Sequence, residues 1–137
     1  MTARALLGVD APEPDDPDFI SSFTSWDPRL VRACVDRVSE VAGADWRDVI
    51  GSRLEFSEFL LYGTYVMSLA PATARTNVGE TTLCHSHWDP EPLDADGAQA
   101  FLDRITPDDL AVHIQSNSRT DDAVLDAVSR RLAEGVH

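Results

Sequence analysis

Glu55-Phe56-Ser57-Glu58-Phe59-Leu60-Leu61-Tyr62-Gly63-Thr64-Tyr65 is the stretch on which the fold of this chain turns. Ser57 has an N-cap side chain, and Phe56 and Leu61 stand at the spacing of a hydrophobic staple. The pattern predicts a helix starting at Ser57 and apolar on most sides through Leu69, which places it at the centre of the fold. Pro71 stops it. Further on, Cys84-His85-Ser86-His87-Trp88 closes a segment from Glu80 to Ser86 that reads as a strand.

On the N-terminal side, Asp27-Pro28 is a strong helix start, with Asp27 as cap and proline at the first helical position. Leu30, Val31, Cys34, Val35, Val38 and Val41 then recur at about 3.6 residues, and Gly43 ends the helix. Asp45 caps a short helix carrying Trp46, Val49 and Ile50. Residues 4–9 read as a short strand, and Phe19 to Thr24 as extended. Residues 10–18 form a proline- and aspartate-rich stretch with no apolar face, a linker or an active-site loop. On the C-terminal side, Asp94 opens a helix with Ala98, Phe101, Leu102 and Ile105 inward. Leu110 to Gln115 reads as a strand, and Thr120 caps a last helix burying Val124, Leu125, Val128 and Leu132. The expectation is one α/β or α+β domain over residues 1–137, with about five helices covering a small sheet of two or three short strands.

The chain has 137 residues and is 43 % hydrophobic, enough for a core. Its formal net charge is −13, and all 11 basic residues are arginines. Such a chain repels phosphate backbones and anionic bilayers, which argues against nucleic acid as a partner. The apolar run at Ala5-Leu6-Leu7 is too short to span a membrane. Cys34 and Cys84 make no disulfide framework, so a reduced, cytoplasmic setting is expected. No Gly-x-Gly-x-x-Gly, phosphate loop, Cys-x-x-Cys or Gly-x-Ser-x-Gly motif occurs.

Several side chains could carry chemistry. Glu58 in a first helical turn either complements the helix dipole or acts as a general base, partly desolvated by Phe56, Phe59 and Tyr62. Tyr62 lies one turn on and could bond the carboxylate or a sugar. Alternation puts His85 and His87 on one face of a strand, either as plain polar residues or as two ligands of a metal, with Glu58 and Asp89 as candidate third ligands. Two histidines alone do not build a metal-dependent hydrolase. Trp26 and Trp88 each precede Asp-Pro. An aromatic platform beside a carboxylate suits a sugar, although core packing is the commoner task for tryptophan. His113 lies in an apolar strand and reads as structural. The polar run Gln115 to Thr120 could hold an anion with Arg119.

Trp26-Asp27, Asp45-Trp46, Phe56-Ser57-Glu58-Phe59-Leu60-Leu61-Tyr62-Gly63, Leu83-Cys84-His85-Ser86 and Trp88 together resemble the C-terminal half of a bacterial glycosyltransferase-like family of GT-A type. The likeness runs from about residue 19 to about residue 120, and its most specific part is the Ser-Glu-aromatic-x-x-Tyr-Gly core. The resemblance implies a helix-rich piece of a GT-A-like fold and the acceptor- and metal-binding half of a nucleotide-sugar-dependent transferase. Glu58 would be the catalytic base, and Trp26, Asp27, Tyr62 and Trp88 substrate contacts. His85 would hold a divalent metal, manganese or magnesium, with His87 less firmly matched. The acidic pair that grips metal and nucleotide in that family has no counterpart before residue 19. The expectation is therefore a truncated or split transferase that works with an upstream-half partner or as a homodimer. Leu6, Leu7, Phe19, Ile20 and Phe23 would form an exposed apolar edge. The alternative is a non-catalytic binding or interaction domain derived from the same fold.

Overall fold

The computed structural model describes residues 2–10, 18–53, 56–76, 78–79 and 81–135. The acidic, proline-rich stretch lies mostly outside these residues, as do Glu55 and Glu80. The chain divides into two compact units, Met1–Glu80 and Thr81–His137.

The first unit is helical. Helix α1 spans Ala3–Leu7, α2 Pro28–Ala42, α3 Trp46–Gly51 and α4 Glu58–Ser68. The caps that the sequence announces are in place. Asp27, Asp45 and Ser57 each accept a hydrogen bond from a free amide of the first turn, and Gly43 ends α2 in the left-handed conformation. Helices α1, α2 and α4 close around one core of Leu6, Leu7, Leu30, Cys34, Val38, Leu61, Tyr62 and Tyr65. Phe56 stays exposed, so the expected staple with Leu61 is at most partial.

Two expectations are corrected here. Residues 4–9 do not form a strand. Thr2 caps α1 by accepting from the Ala5 amide, and Gly8 closes it at φ 65°, so five residues wind into a helix. Nor do Leu6 and Leu7 contribute to an exposed edge, because at 4 % and 0 % exposure they are core. Arg37 on α2 secures that arrangement by donating from Nε to the Leu7 carbonyl at 3.0 Å. Ile20 and Phe23 are exposed, as expected.

The second unit is a small βαβα element. Strand β1 covers Cys84–His87 and β2 Ala111–Ile114; they pair in parallel, with Ser86 opposite His113. A parallel pair needs a crossover, and helix α5, Ala95–Leu102, supplies it. Helix α6 spans Asp122–Glu134 and is capped by Asp121 rather than Thr120. Thr120 is buried and its hydroxyl accepts from the Leu93 amide at 3.0 Å, tying together the segments that lead into α5 and α6. Ala98 and Leu102 of α5, Val128 of α6 and the partly buried Ile114 of β2 form a thin core. Six helices and one two-stranded parallel sheet among the described residues agree with a mixed α/β class.

Candidate functional site

The sequence-predicted groups fall into two sets, one in each unit. In the first, α4 carries Glu58 and Tyr62 one turn apart. Glu58 is exposed in the first turn, where a carboxylate suits the positive end of the helix. Its carboxylate makes no hydrogen bond or ion pair among the described residues. Tyr62 is buried, and its hydroxyl accepts the Asp27 amide proton at 3.0 Å. The Trp26 ring stacks on Tyr62, with centroids 5.1 Å apart and planes 17° from parallel, and meets Phe59 edge-on at 5.7 Å. Trp26, Phe59 and Tyr62 thus form one aromatic group, and Glu58 adjoins it at the start of α4.

Asp27 is committed locally. Its carboxylate accepts from the Arg29 amide at 2.8 Å and pairs with the Arg29 guanidinium at 3.0 Å. The side-chain bond from Arg29 holds its carboxyl below the usual range, with the Arg29 amide adding to the effect. Asp27 therefore fastens the start of α2, while its backbone fixes Tyr62.

Phe19, expected in an exposed apolar edge, is only partly exposed, because its ring lies on α4 at Gly63, where a Cβ would overlap the ring atoms. The glycine in the Tyr-Gly pair is therefore a seat for an aromatic side chain. The signal was present in the Tyr62-Gly63 pair, because a glycine inside a helix commonly marks a close approach.

In the second unit, β1 carries both histidines, and each is engaged by a backbone carbonyl. His85 Nε2–H donates to the Phe101 carbonyl at 3.0 Å, and its ring lies 4.4 Å from that of Phe101. His87 Nε2–H donates to the Glu91 carbonyl at 2.8 Å. A carbonyl only accepts, so the proton sits on Nε2 in both rings, leaving Nδ1 as the nitrogen available to a ligand when the ring is neutral. His87 Nδ1 stands 3.9 Å from the Asp89 carboxylate. Among the described residues no three histidine, cysteine, aspartate or glutamate side chains gather closely enough to hold a metal ion. The described donors do not complete a manganese or magnesium centre by themselves.

Trp88 is 53 % exposed, and its ring lies 4.7 Å from that of His113. Gln115 donates from Nε2 to the Trp88 carbonyl, linking the two strand ends. His113 Nδ1 is buried without a hydrogen-bond partner among the described residues. Arg119 takes φ 55°, a left-handed conformation unusual for a residue with a side chain, and ends the 3-10 turn Ser116–Ser118.

No protein-family model, curated protein or solved structure matches this chain. Within the described residues, no helix is long and apolar enough to cross a membrane.

Proposed function

We propose that this chain is the acceptor-side part of a sugar-transferase-like protein, and that its first unit contributes the sugar contacts. The observation that carries the reading is the stack of Trp26 on Tyr62, with Phe59 edge-on and, on the same helix as Phe59 and Tyr62, the Glu58 carboxylate, which has no partner among the described residues. An aromatic face covers the C–H side of a sugar ring, and a nearby carboxylate accepts from its hydroxyls. Glu58 is the base that would take the proton of the attacking hydroxyl. Tyr62 supports the platform from beneath and does not offer its hydroxyl, which the Asp27 amide already occupies. Nucleotide sugar and divalent metal belong to the proposal through the resemblance of the sequence. No step is derived through the metal, because its ligand set is incomplete.

A second reading has an observation of its own. Asp27, Tyr62, His85 and His87 all hold intramolecular bonds, which favours a module that binds a saccharide without turning it over. The two readings separate experimentally. Saturation-transfer NMR of the full chain with a panel of mono- and disaccharides should label ligand protons from the Trp26 ring, and Trp26→Ala should remove the effect. Product formation on adding manganese and nucleotide sugars, lost in Glu58→Gln while saccharide binding stays, selects the transferase. Binding without turnover selects the module. Absence of any saccharide contact at Trp26 sinks both.

A further inference from the structure

The second unit holds a parallel sheet of only two strands, four residues each, among the described residues. Parallel strands ordinarily lie inside larger sheets, and a two-stranded pair is marginal. Both strands are therefore edges, but the two edges differ.

The Gln115 amide donates to the His87 carbonyl at 3.2 Å, which sets the phase of the ladder. Ala111, His113 and Gln115 turn their backbone groups toward β1, so Val112 and Ile114 turn theirs outward. On β1 the outward groups include those of Cys84, and local side chains occupy them. The Cys84 amide donates to Thr82 Oγ1 at 3.1 Å, and the Cys84 carbonyl accepts from the Thr82 hydroxyl at 3.4 Å and from Ser86 Oγ at 3.3 Å. On β2 nothing comparable occurs. The outward N–H and C=O groups of Val112 and Ile114 have no partner among the described residues. Ala111-Val112-His113-Ile114 also lacks the lysine, proline or inward charge by which edges are commonly blunted.

We infer that β2 pairs antiparallel with β2 of a second copy of this chain, completing a four-stranded sheet across a two-fold axis. The register follows from the phase. Val112 and Ile114 must face Ile114 and Val112 of the second copy, which joins all the outward groups of both strands and sets His113 opposite itself at the axis. Asp108 and Asp109 precede β2 and Arg119 follows it, so antiparallel pairing directs the cationic end of each strand toward the acidic end of the other. The net charge of −13 opposes association at long range, but that repulsion is screened beyond about 8 Å at physiological salt, and the strand contacts are closer. Because the outward groups of Cys84 on β1 are occupied by Thr82 and Ser86, pairing is directed to the β2 edge and closes about the two-fold axis.

Sedimentation equilibrium of the full chain tests this. The expected mass is twice 15.0 kDa, and that of Val112→Pro is 15.0 kDa with an unchanged far-UV spectrum. Proline there deletes an outward N–H and leaves the β1–β2 ladder intact. His113→Cys provides a check that does not depend on the fold tolerating proline. Facing residues at a non-hydrogen-bonded antiparallel position have Cα atoms about 4.5 Å apart, within disulfide range, so mild oxidation should double the mass of this variant and leave the unsubstituted chain unlinked. A wild-type chain of single mass at every concentration overturns the proposal. So does a folded Val112→Pro variant that still pairs, or a His113→Cys variant that forms no intermolecular bridge.

Discussion

The two units solve the same problem, burying enough surface in few residues, by different means. The first packs three helices around Leu7, Val38, Leu61, Tyr62 and Tyr65, and helix caps close their ends. The second has a core of fewer buried side chains, Ala98, Leu102 and Val128, beside the fully buried ring of Phe101, at 1 % exposure, and is tied by polar contacts such as Thr120 to Leu93. The unit with the thinner core should therefore fail first when a single large side chain is cut back.

Phe101→Ala makes the sharpest break. Removing a fully buried ring costs about 3–5 kcal/mol, a large part of the stability of a small unit. Amide exchange should accelerate in β1, β2, α5 and α6, while α2 and α4 keep their protection. Equal loss in both units would show that they melt together and erase the contrast.

Gly63→Ala attacks the first unit at its tightest approach. The added methyl collides with the Phe19 ring, and overpacking of this kind costs about 1–3 kcal/mol. Phe19→Ala in the same chain should recover most of the loss in thermal denaturation, giving a coupling that two independent substitutions would lack.

Each unit also carries one buried thiol, and these sharpen the comparison. Burial pushes the Cys34 thiol up to about 12, and its Sγ–H donates to the Leu61 carbonyl at 3.9 Å. Cys34 should resist iodoacetamide at pH 8 for as long as the first unit stays folded, because the thiolate is the nucleophile. In Phe101→Ala, Cys84 should be alkylated while Cys34 is not, as read by peptide mass mapping.

The smallest expected effect is acidic. The Arg29 side chain lowers Asp27, and the Thr106 amide lowers Asp109 with its hydroxyl adding to the effect. Folded values below the ordinary 3.8 mean that both carboxylates stabilise their units above that pH. The contribution fades as pH falls through the depressed folded values. Asp27→Asn should flatten the acid limb of the first unit's melting profile, and Asp109→Asn that of the second. An unchanged limb in either variant would remove its carboxylate from the acid response.

Local signals were legible in the sequence. Asp27, Asp45, Ser57 and Asp94 all cap the helices expected of them, because a cap is chemistry within three residues. Residues 4–9 read as a strand, and not as part of a helix over Ala3–Leu7, because a run that short has no period. Thr2 and Gly8 were the better guides. The last cap lies one residue beyond Thr120, since Asp121 competes for the same amides and Thr120 is held by Leu93. Parallel pairing of two strands 27 residues apart is a long-range event that no local pattern announces. For the candidate site, Glu58 and Tyr62 were legible as neighbours one turn apart on a helix, whereas the stacking of Trp26 on Tyr62 joins residues far apart in the chain and was not. The commitment of Tyr62 to the Asp27 amide, and of His85 and His87 to carbonyls, was not, because donors are assigned only when the chain has folded.

The contact between Trp88 and His113 has an optical consequence. Losing that neighbour moves the Trp88 ring further into water, which shifts its emission to the red. A chain in which Trp26 and Trp46 are replaced by phenylalanine would emit from Trp88 alone and become a single-channel fluorescent reporter of the end of the parallel sheet.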